Sequence, residues 1–302
     1  GGTARGGRAR GGQCRVLKNE DEVNRTIDSI LEDIKGTDSG ASVPADLRAR
    51  IDGNINKLIE LSSRQSSPLE NAALFNSYTV AYSSPGPKQK GAPAGGRFRG
   101  KMGRLLFRTT GLYQMILRPN LAKNLVSFKL FGILPGSIAL VGTFVKLNAK
   151  TVKVLFERPK FTLLGQTFSF GPKSSVELET PCFYANKIRV GRGSLGSLFV
   201  FTVDEKSQRE SVLREVDRTP RPYAVVVLAA IVAAALYALR FLQTKLGGAK
   251  APMVAACVLL VATASVLVRG GIDDFNECEE DKQKAAAAAA SGSRASSNGA
   301  TP

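Results

Sequence analysis

The sequence contains no histidine, no tryptophan and only four cysteines in 302 residues. Without histidine the chain lacks the usual general base at neutral pH, the imidazole metal ligand and any serine–histidine–aspartate or cysteine–histidine catalytic group. No carboxylate pair or lysine at a recognisable spacing takes its place. We therefore expect a protein that is not an enzyme and that binds no metal.

The cysteines, Cys14, Cys182, Cys257 and Cys278, are far apart and form no C-x-x-C pair. This spacing excludes the common zinc sites and predicts either a reducing compartment or unreactive thiols. No covalent cofactor is expected.

Acidic residues are absent between Glu70 and Glu157, although this interval carries thirteen lysines and arginines in a chain of net charge +17. So basic a stretch favours a polyanionic partner, such as an anionic membrane surface, nucleic acid or an acidic protein. A solvated basic surface without a partner is the alternative. Six of the charges crowd into a Gly/Pro-rich loop at 85–104: Lys88, Lys90, Arg97, Arg99, Lys101 and Arg104.

At ~1 kcal/mol for each cation near an anionic bilayer, four or five of these side chains would hold the loop at a membrane surface. Nucleic acid could use the same charges, but the loop offers only Phe98 for base stacking. We therefore predict a membrane-surface role for the six residues and expect no nucleic-acid partner.

Apolar periodicity divides the chain into six segments. Residues 1–18 form a basic Gly/Arg-rich segment that we expect to be disordered, and 19–65 read as two helices with apolar residues at helical spacing. Residues 205–222 form a charged, helical linker, and 269–302 an acidic, then Ala/Ser-rich, disordered tail.

Between the helices and the linker, residues 66–204 show short β-type runs separated by turn signals, which is typical of an antiparallel sandwich or barrel. We predict a lipocalin-like antiparallel β-barrel with an interior wide enough for one small apolar ligand. Tyr78, a large ring with a polar tip, is expected to plug one end. The predicted strands are 78–82, 105–109, 112–117, 124–130, 137–145, 151–156, 160–164, 167–170, 175–179, 187–190 and 197–203.

Several phenylalanines are expected to line this barrel, with Phe128, Phe144, Phe156, Phe170, Phe199 and Phe201 as candidate ligand contacts. Sequence alone does not separate a filled aromatic core from a cavity for a lipid tail, a carotenoid or a quinone, because both need the same side chains.

The run GRGSLG at 191–196 matches the dinucleotide-binding pattern G-x-G-x-x-G. That pattern needs a preceding strand and a following helix, whereas 197–203 reads as a strand. A strand–turn–strand corner of a closed sheet is therefore favoured over a nucleotide site.

The surrounding sequence IRVGRGSLGSLFVF, residues 188–201, resembles the C-terminal signature of the plastid-lipid-associated protein (fibrillin) family. Tyr113-Gln114, 124–132, 134–136 and 156–157 resemble the middle of that family, so the likeness covers about 46–203. The signature turn comprises Arg189, Gly191, Arg192, Gly193, Gly196 and Ser197. We expect Arg192 to tie this turn to carbonyls or to a nearby carboxylate, with a lipid headgroup as the alternative.

Two features depart from the family pattern. Tyr78 stands where a tryptophan is usual, and 182–186 lack the usual acidic pair. The resemblance implies that the N-terminal helices cover one end of the barrel. It also implies a plastid protein that binds or shields lipid, carotenoid or prenylquinone.

Two uncharged apolar runs, 223–239 and 251–268, follow the linker. Each approaches the about 20 residues that a membrane-spanning helix needs, and basic residues flank both. We therefore predict a transmembrane hairpin across 223–268 that anchors the barrel to a membrane. In the plastid protein that the resemblance implies, the barrel would be on the stromal side of the thylakoid. A buried helical pair is the alternative.

The leading functional hypothesis is a membrane-anchored, lipid-associated protein of the thylakoid. The alternative is a structural or assembly subunit of a photosynthetic complex, such as a photosystem–antenna supercomplex, docked through the hairpin.

Overall fold

The computed structural model describes residues 8–63, 65, 67–86, 106–204, 206–246, 256, 258 and 260. The elements with described bounds are two helices and two short 3-10 turns, then ten strands, then two further helices. The helices are α1 (Arg8–Asp33), α2 (Ala45–Leu61), α3 (Lys206–Val216) and α4 (Ala224–Leu246), with 3-10 turns at Pro68–Glu70 and Ala72–Leu74. The strands are β1 (Ser77–Ser84), β2 (Phe107–Leu117), β3 (Leu121–Leu130), β4 (Leu134–Lys146), β5 (Thr151–Phe156), β6 (Lys160–Leu163), β7 (Gln166–Ser169), β8 (Ser174–Tyr184), β9 (Ile188–Gly193) and β10 (Leu198–Val203).

Eight of these strands close into an antiparallel barrel. The ring runs β3-β2-β1-β10-β9-β8-β5-β4, and β4 pairs with β3 to complete it. The remaining two strands, β6 and β7, form a hairpin that extends the sheet from β4. The predicted mainly-β fold with a closed antiparallel barrel is therefore confirmed.

Alternation along the strands gives the barrel an apolar interior and an outer face that is covered in two places. Interior positions of seven of the eight barrel strands, all except β9, join one large apolar cluster, which includes Leu112, Val126, Ile138, Val154 and Phe201. Their neighbours in sequence point outward, as a period of two requires.

The layer formed by α1 and α2 packs against the outer face of β8, β9, β10 and the end of β1. Ile27, Ile30, Ile51 and Ile55 are fully buried there, in one cluster with Val200 of β10. The expectation that these helices cover an end of the barrel is therefore wrong. The physical reason is that the outward residues of β9 and β10 are themselves apolar and must be removed from water.

A partly buried pair of hydrogen bonds joins this layer to the barrel. Asp52 of α2 accepts from the hydroxyl of Tyr82 at 2.8 Å and from Ser84 Oγ at 2.6 Å. Burial first, and then the Asp52 charge, raise the pKa of Tyr82, so its hydroxyl stays protonated and remains a donor.

Helix α3 covers a second part of the outer wall, over β2, β3 and β4. Val212 and Val216 are buried against Met115 and Leu125. Around this apolar contact, Lys123 pairs with Asp217 at 2.5 Å, and Ser137 Oγ donates to Glu215 at 2.7 Å. The linker predicted at 205–222 is thus largely a packed helix.

Helix α4 starts against the β6–β7 hairpin and then exposes its apolar side chains. The backbone N–H of Arg221 donates to the Thr167 carbonyl at 2.8 Å, and Ala224 is fully buried. Beyond this start, Val226 is 68% exposed and Tyr237 is 75% exposed.

Within the described part of the chain, no helix has the length and apolar character needed to cross a membrane. The first predicted spanning segment, 223–239, corresponds to α4. The second, 251–268, falls outside the described residues except for three positions. The predicted transmembrane hairpin is therefore not supported.

Two other boundaries differ from those predicted. Helix α1 begins at Arg8 rather than Asn19. Extending a helix from its packed half is much easier than nucleating one, even through a glycine-containing segment. The predicted strands 105–109 and 112–117 are one strand with a bulge between Thr109 and Gly111. The tail at 269–302 lies outside the described residues.

We predict that Gly142→Ala in β4 destabilises the barrel by about 1–3 kcal/mol, because core overpacking typically costs that much. A Cβ there would lie 2.4 Å from the Leu155 carbonyl oxygen and 2.8 Å from the Phe156 ring. Gly53→Ala in α2 is the matched control, since its Cβ would meet nothing within 4 Å. It should stabilise by about 0.5–1 kcal/mol through helix propensity. Urea denaturation of the two variants measures both effects, and equal midpoints would contradict this account.

Candidate functional site

The barrel interior is crowded with aromatic rings. Of the six predicted ligand contacts, Phe128, Phe156, Phe199 and Phe201 are buried members of the interior cluster, and Phe144 and Phe170 pack against it half-buried. Ring centroids of Phe128 and Phe161 lie 5.6 Å apart, and those of Phe199 and Phe201 lie 6.1 Å apart. The structure thus gathers the six residues in one apolar volume, and whether they contact a ligand stays a prediction.

Glycines make room for these rings. A Cβ at Gly136 would lie 2.5 Å from the Phe128 ring, and one at Gly191 would lie 2.9 Å from the Phe201 ring. Both glycines face the interior from strands, where the side chain that they lack would occupy the space of an aromatic ring.

The glycine signature forms the β9–β10 hairpin. Gly193 N–H donates to the Ser197 carbonyl at 2.8 Å, and Gly196 N–H to the Gly193 carbonyl at 2.9 Å. Gly196 has φ +86°, which disfavours any residue with a side chain. A strand follows the motif, so the strand–turn–strand interpretation is confirmed and the helix that a dinucleotide site requires is missing.

The two signature arginines point to opposite sides of the barrel wall. Arg192 lies near the outer surface, where it approaches Glu179 at 3.9 Å and donates to Asn56 Oδ1 at 3.3 Å. Arg192 therefore connects β9 to β8 and to α2. Glu179 is the nearby carboxylate that its predicted role requires.

Arg189 is instead 1% exposed inside the barrel. Its guanidinium carbon lies 3.8 Å from the Phe201 ring centroid and 4.6 Å from that of Tyr78. One Nη group donates to Gln114 Oε1, and Gln114 in turn donates to Asn124 Oδ1 at 3.2 Å. The interior thus holds a row of three polar side chains among aromatic rings.

This arginine lacks full compensation for its burial. Its Nε–H has no hydrogen-bond acceptor, and no carboxylate in the described part of the chain forms an ion pair with it. Burial lowers the pKa of Arg189 to about 10, which still leaves the side chain charged at neutral pH.

The end of the barrel nearest Arg189 is closed by the two 3-10 turns. Leu69 and Leu74 insert into the interior cluster, and the hydroxyl of Tyr78 donates to the Leu74 carbonyl at 2.8 Å. Arg118 stacks over the Phe75 ring at 4.9 Å on the same side. The fully buried Tyr78 occupies the place expected of it at a barrel end. The segment between the end of β1 and the start of β2 belongs to the other end of the barrel, and its residues 87–105 lie outside the described residues.

A cavity lies outside the barrel, between α3 and the outer faces of β2, β3 and β4. Its volume is about 370 Å³, and of the six predicted lining residues only Phe128 borders it. Its walls are mostly polar: Thr110, Tyr113, Ser127, Lys129, Ser137, Thr162, Ser211, Glu215 and Arg218. It therefore does not suit a lipid tail.

The predicted membrane-surface residues Lys88, Lys90, Arg97, Arg99, Lys101 and Arg104 all lie outside the described residues. No group of three or more potential metal ligands occurs in the described ranges.

Cys182 is buried between the barrel and α2, and burial raises the pKa of its thiol to about 12.

Sequence reasoning missed the polar row formed by Arg189, Gln114 and Asn124. The available signal was alternation: Gln114 stands between the interior residues Leu112 and Ile116 at a spacing of two. Which face of the β9 strand is the interior could not be read, because Ile188 and Val190 on the outer face are apolar as well.

Taken together, the fold and the site define a closed eight-stranded antiparallel barrel with an aromatic interior, an architecture that in lipocalins encloses one small ligand. The chain is 31% identical over 175 residues to "Probable plastid-lipid-associated protein 8, chloroplastic" from Arabidopsis thaliana, and the match covers 58% of this chain and 70% of that protein. The chain belongs to the plastid-lipid-associated protein (fibrillin) family. No family model and no solved structure matches it.

We predict that Tyr78→Phe lowers the free energy of unfolding by about 0.5–1.5 kcal/mol, the usual net value of one hydrogen bond. The variant keeps the ring that contacts Arg189 and Phe201 but loses the bond to Leu74. Tyr78→Leu should cost more than Tyr78→Phe, since it also removes the edge contact with Phe201 and the ring beneath the Arg189 charge. Urea denaturation ranks the three proteins, and equal losses for the two variants would show that the ring contributes nothing.

Proposed function

We propose that this protein is a plastid-located, lipid-associated protein whose barrel binds or shields a lipophilic molecule. Membrane lipid, carotenoid and prenylquinone of the thylakoid are the candidate ligands. The observation that carries the proposal is the closed barrel with an aromatic interior, in a chain related to a plastid-lipid-associated protein. The location rests on the relative's name, which describes it as chloroplastic.

The barrel would act by removing an apolar molecule from water. Each Å² of apolar surface that it buries contributes about 25 cal/mol, so even a short tail gains several kcal/mol. No bond is made or broken in the proposed activity, so it requires no catalytic group. Entry of a tail requires the stacked phenylalanines to change rotamers, since they fill the described interior.

Extraction of the purified full-length protein with organic solvent tests the proposal. We expect one lipophilic molecule per chain by mass spectrometry when the protein is isolated from plastids. Ala122→Phe should abolish this yield, because Ala122 is a buried interior residue of β3 and a ring there fills the space of a ligand. Thr143→Phe is the matched control on the exposed outer face of β4, and it should retain the ligand. A wild-type extract without lipophile would overturn the proposal.

We further propose that α4 attaches the barrel to the thylakoid membrane, with the barrel on the stromal side. The support is its run of exposed apolar side chains: Val225, Val226, Ile231, Val232, Tyr237 and Phe241. Apolar helices of this kind can insert one face into the headgroup region of a bilayer.

Flotation with lipid vesicles tests this attachment. We expect wild-type protein to float with vesicles that contain anionic lipid, and Val226→Asp together with Tyr237→Asp to remain at the bottom of the gradient. Val145→Asp, an exposed apolar position on β4, is the control and should float. Equal flotation of all three proteins would show that α4 is not the attachment.

The same exposed helix supports a second candidate function, that of a structural or assembly subunit of a photosynthetic membrane complex. Aromatic and β-branched side chains at high exposure also suit a protein interface. Native electrophoresis separates the two candidates. Constant co-migration with a photosystem, combined with an empty barrel, favours the structural role, whereas a ligand-bearing protein free of complexes favours lipid binding.

A further inference from the structure

The barrel interior carries one positive charge and no negative charge among its described positions. Arg189 is that charge, and the other interior-facing positions of the eight strands bear apolar, glycine, amide or hydroxyl side chains, apart from Lys146, which is exposed at the end of β4. Both glutamates near it along β8, Glu177 and Glu179, lie on the outer face, and Glu179 approaches Arg192 there. A buried charge without a partner is strongly unfavourable, because the surroundings do not replace the water that it lost.

The contacts of Arg189 fix its orientation without neutralising it. Its guanidinium lies against both the Phe201 ring and the Tyr78 ring. Gln114 provides one neutral acceptor, and the Nε–H donor remains unsatisfied. An arginine whose only role was to stabilise the barrel would be expected to use all its buried donors.

Arg189 lies at one end of the apolar interior, where the polar head of a long ligand would be placed. Arg189 lies beside Tyr78, whose hydroxyl bonds the 3-10 turn that closes this end of the barrel. The rest of the interior cluster extends away from this end through Val126 and Phe128 toward Phe107 and Leu130. A long apolar molecule that fills the barrel therefore has one end beside Arg189 and its tail among the phenylalanines.

We propose that the barrel binds a long-chain carboxylic acid, with the carboxylate held by Arg189 beside Gln114 and the chain within the aromatic interior. This inference rests on the proposed lipid-binding function and specifies the chemical class of its ligand. A carboxylate matches the planar guanidinium in shape, and its single negative charge neutralises the single positive charge. Hydrocarbon carotenoids offer no acceptor to this donor, and a quinone carbonyl offers a neutral one that leaves the charge uncompensated.

A fluorescence titration with parinaric acid and with its methyl ester tests the proposal. The two probes share one fluorescent chain and differ only in the head. We expect the affinity of the wild-type protein for the acid to be about tenfold or more higher than its affinity for the ester. A difference of this size is typical of a charge-assisted interaction in a buried site.

Gln114→Glu is the decisive variant, because it places a carboxylate within hydrogen-bond distance of Arg189 while hardly changing the shape of the side chain. The built-in carboxylate competes with the head of the ligand. Affinity for the acid should fall by about tenfold or more, and affinity for the ester should change by less than about twofold. The melting temperature should not fall, since a buried charge gains a partner.

Two further variants complete the set. Arg189→Met should remove the preference for the acid and retain binding of the ester. Lys187→Met, two residues earlier on the outside where Lys187 contacts Asn24, should behave like the wild type.

The outcomes separate this proposal from the one on which it rests. Equal binding of acid and ester by the wild-type protein, unaltered in Gln114→Glu, would refute the carboxylate head while lipid binding stands. Loss of both probes in Gln114→Glu, with a lower melting temperature, would show that Arg189 is structural and also overturn the proposal. Failure of the wild-type protein to bind either probe would overturn the inference together with the proposed function.

Discussion

Closure of the sheet is the constraint on which the rest of the structure depends. Ten residues of β3 pair with β4, from Leu121 opposite Thr143 to Leu130 opposite Leu134, and this ladder joins the two ends of the eight-stranded ring. Closure satisfies the backbone donors and acceptors that open edges would expose. Closure also gives every strand an inner and an outer face. Alternate residues therefore point into the enclosed apolar interior or toward the outer face, which helices cover in part. The buried arginine has its unusual surroundings only because the sheet is closed around it.

The closed wall explains how two unrelated apolar clusters coexist in one domain. The outer residues of β9 and β10 bury against α1 and α2, while their immediate neighbours in sequence bury inside the barrel. Strand β10 therefore reads as a nearly continuous apolar run rather than an alternating one. Strands covered on both faces are the case in which sequence periodicity carries least information.

This limit decides how much of the fold the sequence could predict. Strands with one wet face, such as β5, were predicted to the residue, because Val152, Val154 and Phe156 alternate with residues on the outer face, most of them polar. The predicted ends of β1 and β8 fell short, at Tyr82 and Glu179, because bulges shift the alternation there. A bulge moves Tyr82 to the outer face, although Tyr78 and Val80 lie inside. No local sequence pattern predicts this bulge. The site was predictable only in its aromatic part, since Gln114, the hydrogen-bond partner of Arg189, lies 75 residues away along the chain.

The place where α4 leaves the domain has a geometric consequence. Its first residues contact the β6–β7 hairpin, which extends from β4, and β4 stands across the ring from β10 and the α1–α2 layer. A membrane or a protein complex that binds α4 therefore approaches the barrel from the wall opposite α1 and α2. The outward side of α1 and α2 is then left facing the surrounding solution, free for contacts that do not compete with the tether.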